Sequence, residues 1–269
     1  MNGNLVFLGA GNMAEALVSG LLACNRWPRE RLMVADIATE RCDHFARKYG
    51  VHAMADNAAA VVGADVVVLA VKPQVLPEVL AGVRAKFPPH ALVVSIAAGV
   101  TTTKIENALG GAVRVVRSMP NTPALVGCGI AALCPGLHAT PRDLERAEDL
   151  LSATGEVVRV EETQMDAVTA ISGSGPAYVF YLMEAMLEAA RQLGLSTVVA
   201  RKLVYTTVKG SAELILKHDL PPEELRRRVT SQGGTTAAAI EVKDRRQVKQ
   251  AVIEAVLAAH RRAGELSRL

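Results

Sequence analysis

Apolar residues follow two rhythms along this chain, and one gives way to the other near residue 160. Before that point, short apolar runs alternate with stretches whose apolar residues recur every three or four positions. This is the pattern of buried strands joined by helices. The runs are Leu5–Leu8, Leu32–Ala35, Val51–Met54, Val66–Val71, Leu92–Ile96, Val113–Val116, Gly129–Leu133 and Glu156–Val160. Their valine-rich, non-alternating character predicts a parallel sheet covered on both faces. So many strands leave antiparallel or edge pairing open for the last ones.

After residue 160 the strand-like runs stop. A loop at Ser172-Gly173-Ser174-Gly175-Pro176 is expected to launch a helix running to Leu193, and a second helix over Thr197–Lys217 reads as buried all round. A short one opens at Pro221-Pro222 with acids in its first turn and Arg226–Arg228 in its last, as the helix dipole favours. A final helix is expected over 244–266. The fold class is therefore α/β, with an N-terminal Rossmann-like doubly wound sheet (1–162) followed by an all-α dimerisation domain (163–269). The helical part is small and apolar, which favours two chains sharing it.

The first run leads into the most informative turn. Gly9-Ala10-Gly11-Asn12-Met13-Ala14 follows a strand and opens a helix. Gly9 permits the tight turn, Gly11 lets the backbone approach a pyrophosphate, and Ala14 lets the helix pack on the strand. The second run ends in Asp36, roughly 25 residues beyond Gly11, where a carboxylate accepts both ribose hydroxyls of NAD. Arg41 lies close enough in sequence to meet the 2′-phosphate of NADP, and an acid there also suits a cap for a helix over Thr39–Tyr49. The cofactor is thus NADP or NAD.

Three further segments fall at the carboxyl edge of the sheet, where open α/β sheets bind ligands. Val71-Lys72-Pro73-Gln74 ends the fourth run, and Ala97-Ala98-Gly99 follows the fifth with room for a bound ring. Arg117–Pro123 follows the sixth as a stiff loop in which two prolines bracket Asn121 and Thr122. In the helical half, Thr230-Ser231-Gln232-Gly233-Gly234-Thr235-Thr236 runs into an alanine-rich helix, so free amides and hydroxyls converge in a site of carboxylate size.

Composition narrows the chemistry. Half of the 269 residues are apolar, and aromatic residues make up 3%, too few for stacking single-stranded nucleic acid. The net charge of +3 is scattered, so neither nucleic acid nor membrane is an expected partner. No Lys or Arg precedes Arg26, which argues against a secretory signal, and no apolar run approaches the ~18 residues of a membrane span. The four cysteines lack zinc-like spacing, so no metal is expected and a cytoplasmic location is. None of the six histidines sits in a glycine, serine or threonine loop, and no lysine opens the helix after Pro176. Reducing a ketone normally needs such a proton carrier. A cyclic imine, protonated in water near neutral pH, carries its own activating charge and needs mainly positioning.

Taken together, Gly9–Ala14, Val71–Gln74, Ser95–Gly99, Met119–Pro123, Ser172–Tyr178 and Thr230–Thr236 resemble, in order and spacing, the pyrroline-5-carboxylate reductases. The resemblance implies hydride transfer from a reduced nicotinamide cofactor to the C=N of 1-pyrroline-5-carboxylate, giving L-proline. It implies that Ser231, Gly233, Gly234, Thr235 and Thr236 hold the substrate carboxylate, with the Thr236 hydroxyl near the ring nitrogen. Asn57, Lys72 and Pro73 would lie beside the cofactor, with Val71, Ala97, Gly99 and Asn121 on the same edge. Homodimers through the helical domain are implied too, often five to a ring, with the substrate loop completing a site on the neighbouring chain. Many members have proline where this chain has Gln232, and NADPH-preferring members have small or basic residues where it has Asp36. A dehydrogenase of a small hydroxy acid, depending on a lysine such as Lys209, and a non-catalytic dinucleotide-binding protein are the competing expectations.

Overall fold

The computed structural model describes residues 3–268. The chain forms two compact units: one runs to Ser174 and takes in the chain again from Ala259, and the other is Gly175–Ala258.

The first unit is built on strands β1 (Leu5–Leu8), β2 (Leu32–Ala35), β3 (His52–Met54), β4 (Val66–Leu69), β5 (Leu92–Ser95), β6 (Arg114–Pro120), β7 (Gly129–Pro135) and β8 (Gly155–Arg159). They form one sheet in the order β3-β2-β1-β4-β5-β6-β7-β8. Every pairing is parallel except β6 with β7, where the sheet turns antiparallel. The first six strands thus have the Rossmann order, which reverses between β1 and β4.

Helices α1 (Asn12–Ala23), α2 (Thr39–Tyr49), α3 (Asn57–Ala60), α4 (Leu76–Val83), α5 (Thr102–Leu109) and α6 (Pro141–Leu151) cover the two faces. Successive strand residues point to opposite faces, and here both faces are dry. Leu5 and Phe7 join a cluster with Leu17, Phe45 and Leu150, while Val6 and Leu8 join another with Leu76, Leu80 and Ile105. Burying each such side chain contributes about 1.5–3 kcal/mol, so an unbroken apolar run is what a strand covered on both faces requires.

The chain change expected at 162/163 does not coincide with the border of the compact units. Helix α7 (Met165–Val168) and the π-helical turn Thr169–Gly173 stay with the sheet, where Met165 packs on Ala132 and Cys134. The expected loop at 172–176 is this π turn running through Ser174 into the next helix. A Cβ on Gly173 would come 2.5 Å from the Met119 Cε, the movable end of a flexible side chain, so the turn lies directly against β6. The stiff loop expected over 117–123 is strand as far as Pro120, because Arg117 to Pro120 pair with β7.

The second unit holds α8 (Gly175–Gln192), α9 (Thr197–His218), α10 (Pro222–Arg228), α11 (Thr235–Arg245) and the first half of α12 (Val248–Arg268). The single helix expected over 244–266 is broken at Gln247, whose φ of +53° ends α11 and cannot continue a right-handed helix. Helix α9 is not buried all round: Ala200 and Val204 are buried, while Val198, Leu203, Tyr205 and Leu216 are exposed within the chain.

Candidate cofactor and substrate sites

At the reversal of strand order, the turn after β1 crosses the end of β4. Gly9 has a φ of +106°, and a Cβ there would lie 2.7 Å from the carbonyl carbon and oxygen of Ala70. Backbone conformation and space each demand glycine. Gly11 is extended, and a Cβ on it would meet nothing within 4 Å, so its backbone lies open. Helix α1 starts directly after it with no side-chain cap, which leaves its first amides to a ligand. Ala14 is fully buried.

Gly9, Gly11, Asp36, Asn57, Val71 and Lys72 come together around a cavity of about 650 Å³. Asn57 adds an observation that itself points to a ligand, because its buried Oδ1 has no hydrogen-bond partner. An unpaired buried acceptor is costly, and a ligand hydroxyl would satisfy it. Open glycine backbone, uncapped helix amides and this orphaned carbonyl are what a dinucleotide requires, so the residues present fit the cofactor. Asp56, Glu78 and Val79 also line the cavity and were not singled out from sequence. Of these, Asp56 was detectable as an N-cap, since its Oδ1 accepts from the amides of Ala58 and Ala59.

Asn12 and Met13 form the first turn of α1, Pro73 and Gly99 line a second cavity of about 620 Å³, and Ala97 is buried in the core. Asn121 accepts the Ile130 amide at 3.0 Å and so braces the turn into β7.

Asp36 does not cap α2. Its Oδ2 accepts the Ala10 amide at 2.7 Å and its Oδ1 the Ala38 amide at 2.9 Å, so it ties the glycine loop to the end of β2. Arg41 holds the other side of the same residue, with Nε donating to the Ala10 carbonyl at 2.7 Å and its second nitrogen donating to Glu15 at 2.8 Å. Glu15 also bonds His44, Lys48 and Tyr49. Burial alone would raise its pKa, but the hydrogen bonds from His44, Arg41, Lys48 and Tyr49 outweigh that and hold the carboxyl far below the usual range.

In the helical unit, Ser231, Gln232, Gly233 and Thr235 are exposed and Thr236 is half-buried. Gly233 has a φ of +70°, and the Gly234 amide donates to the Ser231 carbonyl at 3.1 Å, which closes a tight turn. Helix α11 starts from Gly234 with no side-chain cap. The amides and hydroxyls of this loop therefore face outward, suited to an anion. Among the described residues, no histidine lines the cavity of Gly9 and Asp36 or that of Pro73 and Gly99.

Two family models match the chain: one described as pyrroline-5-carboxylate reductase dimerisation over residues 162–266, and one described as NADP oxidoreductase, coenzyme F420-dependent, over residues 4–99. A pyrroline-5-carboxylate reductase of Pseudomonas aeruginosa is 42% identical over 98% of this chain and 96% of its own length. One from Synechocystis is 41% identical over the whole of both. The solved reductase of Coxiella burnetii superposes with a TM-score of 0.91 at 41% identity, covering 99% of each chain. That of Plasmodium falciparum, solved with NADP bound, gives 0.90 at 31% identity over 99% of this chain and 98% of its own. With likeness running from the glycine turn through the last helix, the chain belongs to the pyrroline-5-carboxylate reductase family.

Proposed function

We propose that the chain reduces 1-pyrroline-5-carboxylate to L-proline, the last step of proline biosynthesis, with NADH or NADPH held in the cavity between β1 and β4. The observation that carries this is the full-length likeness to reductases of that name. The cavity and the exposed substrate loop supply the physical means.

The reduced nicotinamide, when bound, supplies the hydride. Ser231, Gly233, Gly234 and Thr235 hold the substrate carboxylate through amides and hydroxyls at the start of α11. The Thr236 hydroxyl hydrogen-bonds the ring nitrogen and orients the C=N bond. Hydride adds to the carbon of that bond while the protonated nitrogen keeps its proton and takes the electron pair. An already charged iminium needs no strong acid beside it, so positioning is the protein's main contribution. The same reading takes the active form to be a homodimer whose substrate loop serves the neighbouring chain, with five dimers to a ring. The family resemblance and the exposed apolar helices support it. A cytoplasmic location belongs with it, supported by cysteines that are all free thiols.

Cofactor oxidation followed by absorbance, with 1-pyrroline-5-carboxylate as substrate, tests the reaction. Thr236→Ala is expected to lower activity at least tenfold without changing cofactor affinity, since one well-placed hydrogen bond in a dry site is worth about 1.4 kcal/mol or more. No turnover by folded protein would overturn the reaction. Equal loss of activity and cofactor binding in the variant would make Thr236 structural.

A further inference from the structure

We propose that the adenosine end of the cavity selects NADH and rejects the 2′-phosphate of NADPH, with Asp36 as the excluding residue and Glu15 as the residue that keeps Arg41 from relieving the exclusion. This rests on the reading of the cavity as a dinucleotide site.

Asp36 stands at the end of β2, where a Rossmann fold meets the adenosine ribose, and it lines the cavity. Each carboxylate oxygen receives one backbone amide, from Ala10 and from Ala38, which fixes the group in place. Each oxygen keeps a further lone pair, so the pair of them suits the two hydroxyls of an unmodified ribose. A 2′-phosphate brings acceptors and negative charge to the same place and has no proton to offer.

The surroundings do not compensate. The other charged residues of the cavity lining are Asp56, Glu78 and Lys72, so three carboxylates face one ammonium. Lys72 follows β4 on the far side of β1 from Asp36. The basic residues that α2 carries nearest the glycine loop are engaged elsewhere. Arg41 is held by the Ala10 carbonyl and Glu15 and lies over the Phe45 ring at 5.5 Å. His44 and Lys48 also converge on Glu15, at 2.7 and 2.9 Å. An arginine that would pair with a 2′-phosphate is present in the sequence, but the fold assigns it to the loop.

Nucleotide binding to the full-length protein without substrate, followed by nicotinamide fluorescence, tests this. NADH is expected to bind at least tenfold more tightly than NADPH, and the ratio is expected to narrow as salt is raised, because screening weakens charge repulsion. Asp36→Asn should narrow the ratio by tightening NADPH. Glu15→Gln should also narrow the ratio in favour of NADPH, by freeing Arg41. Equal or tighter binding of NADPH by the wild type, or a ratio that does not move with salt or with Asp36→Asn, overturns the proposal. Binding of neither nucleotide overturns the reading of the cavity itself, a distinguishable failure.

Discussion

The two units use their apolar residues in opposite ways. In the sheet unit Leu5, Phe7 and Leu8 are 0% exposed, and both faces of the sheet are closed by helices of the same unit. In the helical unit Val198 is 79% exposed and Leu216 84%, on a helix of 22 residues that buries little beyond Ala200 and Val204. The first unit completes its core alone, whereas the second presents a surface that another chain must cover. The two loops differ in the same sense. The Gly9–Gly11 turn is held by β4, Asp36 and Arg41 at once, while the Ser231–Thr236 loop rests on its own turn and a helix start.

The largest effect that separates the units is expected at Gly9. Gly9→Ala combines a left-handed backbone with a Cβ 2.7 Å from the Ala70 carbonyl, and nothing at a strand end can move aside. Strain and overpacking together should cost about 2–6 kcal/mol, read as a lower urea midpoint with cofactor binding lost. A wild-type midpoint would show that the turn relaxes and that its closeness to β4 is not a constraint.

Next in size is the helical surface. Ile253 and Leu257 lie four apart on α12 and are 43% and 50% exposed within the chain. Replacing both by glutamate removes about 1.5–3 kcal/mol of burial per chain if a partner covers the exposed half of each. Light scattering should then report a monomer with activity down more than tenfold, while the cofactor still binds within about threefold. An intact dimer would move the shared surface to another face of the unit.

The contrast also explains what was legible in the sequence. A residue buried by its own unit leaves a periodic trace, so the strand cores and the limits of α2 followed from pattern alone. Helix α9 misled for the opposite reason: few charges on any face read as burial within the chain, when that apolar surface awaits a second one. Residues 162–173 have helical periodicity yet pack on the sheet, and composition carries no sign of which neighbour a helix chooses. At the cavity, Asn57 was expected only through the family resemblance, whereas the glycines, Asp36 and Lys72 were legible because turn chemistry and strand ends are local. Asp36 as a tether of Ala10 was not, and neither was the capture of Arg41 by Glu15, since both depend on α1 and α2 meeting in space.

The smallest effect concerns the substrate loop, and it asks whether that loop lacks the stiffness built into the glycine turn. Gln232 stands where many members of the family have proline, between Ser231 and the left-handed Gly233. A proline at a compatible position removes conformations that the free loop must give up on binding, an advantage of about 0.4–1 kcal/mol. Gln232→Pro should therefore lower the KM for the imine about two- to fivefold, with kcat and cofactor affinity unchanged, because order is added to the free loop and no contact is made with the reacting bond. A raised KM would mean that Gln232 holds the carboxylate through its own amide or side chain. The outward-facing loop would then be rigid already, and the difference between the two loops would lie in the partner each needs, not in how firmly each is built.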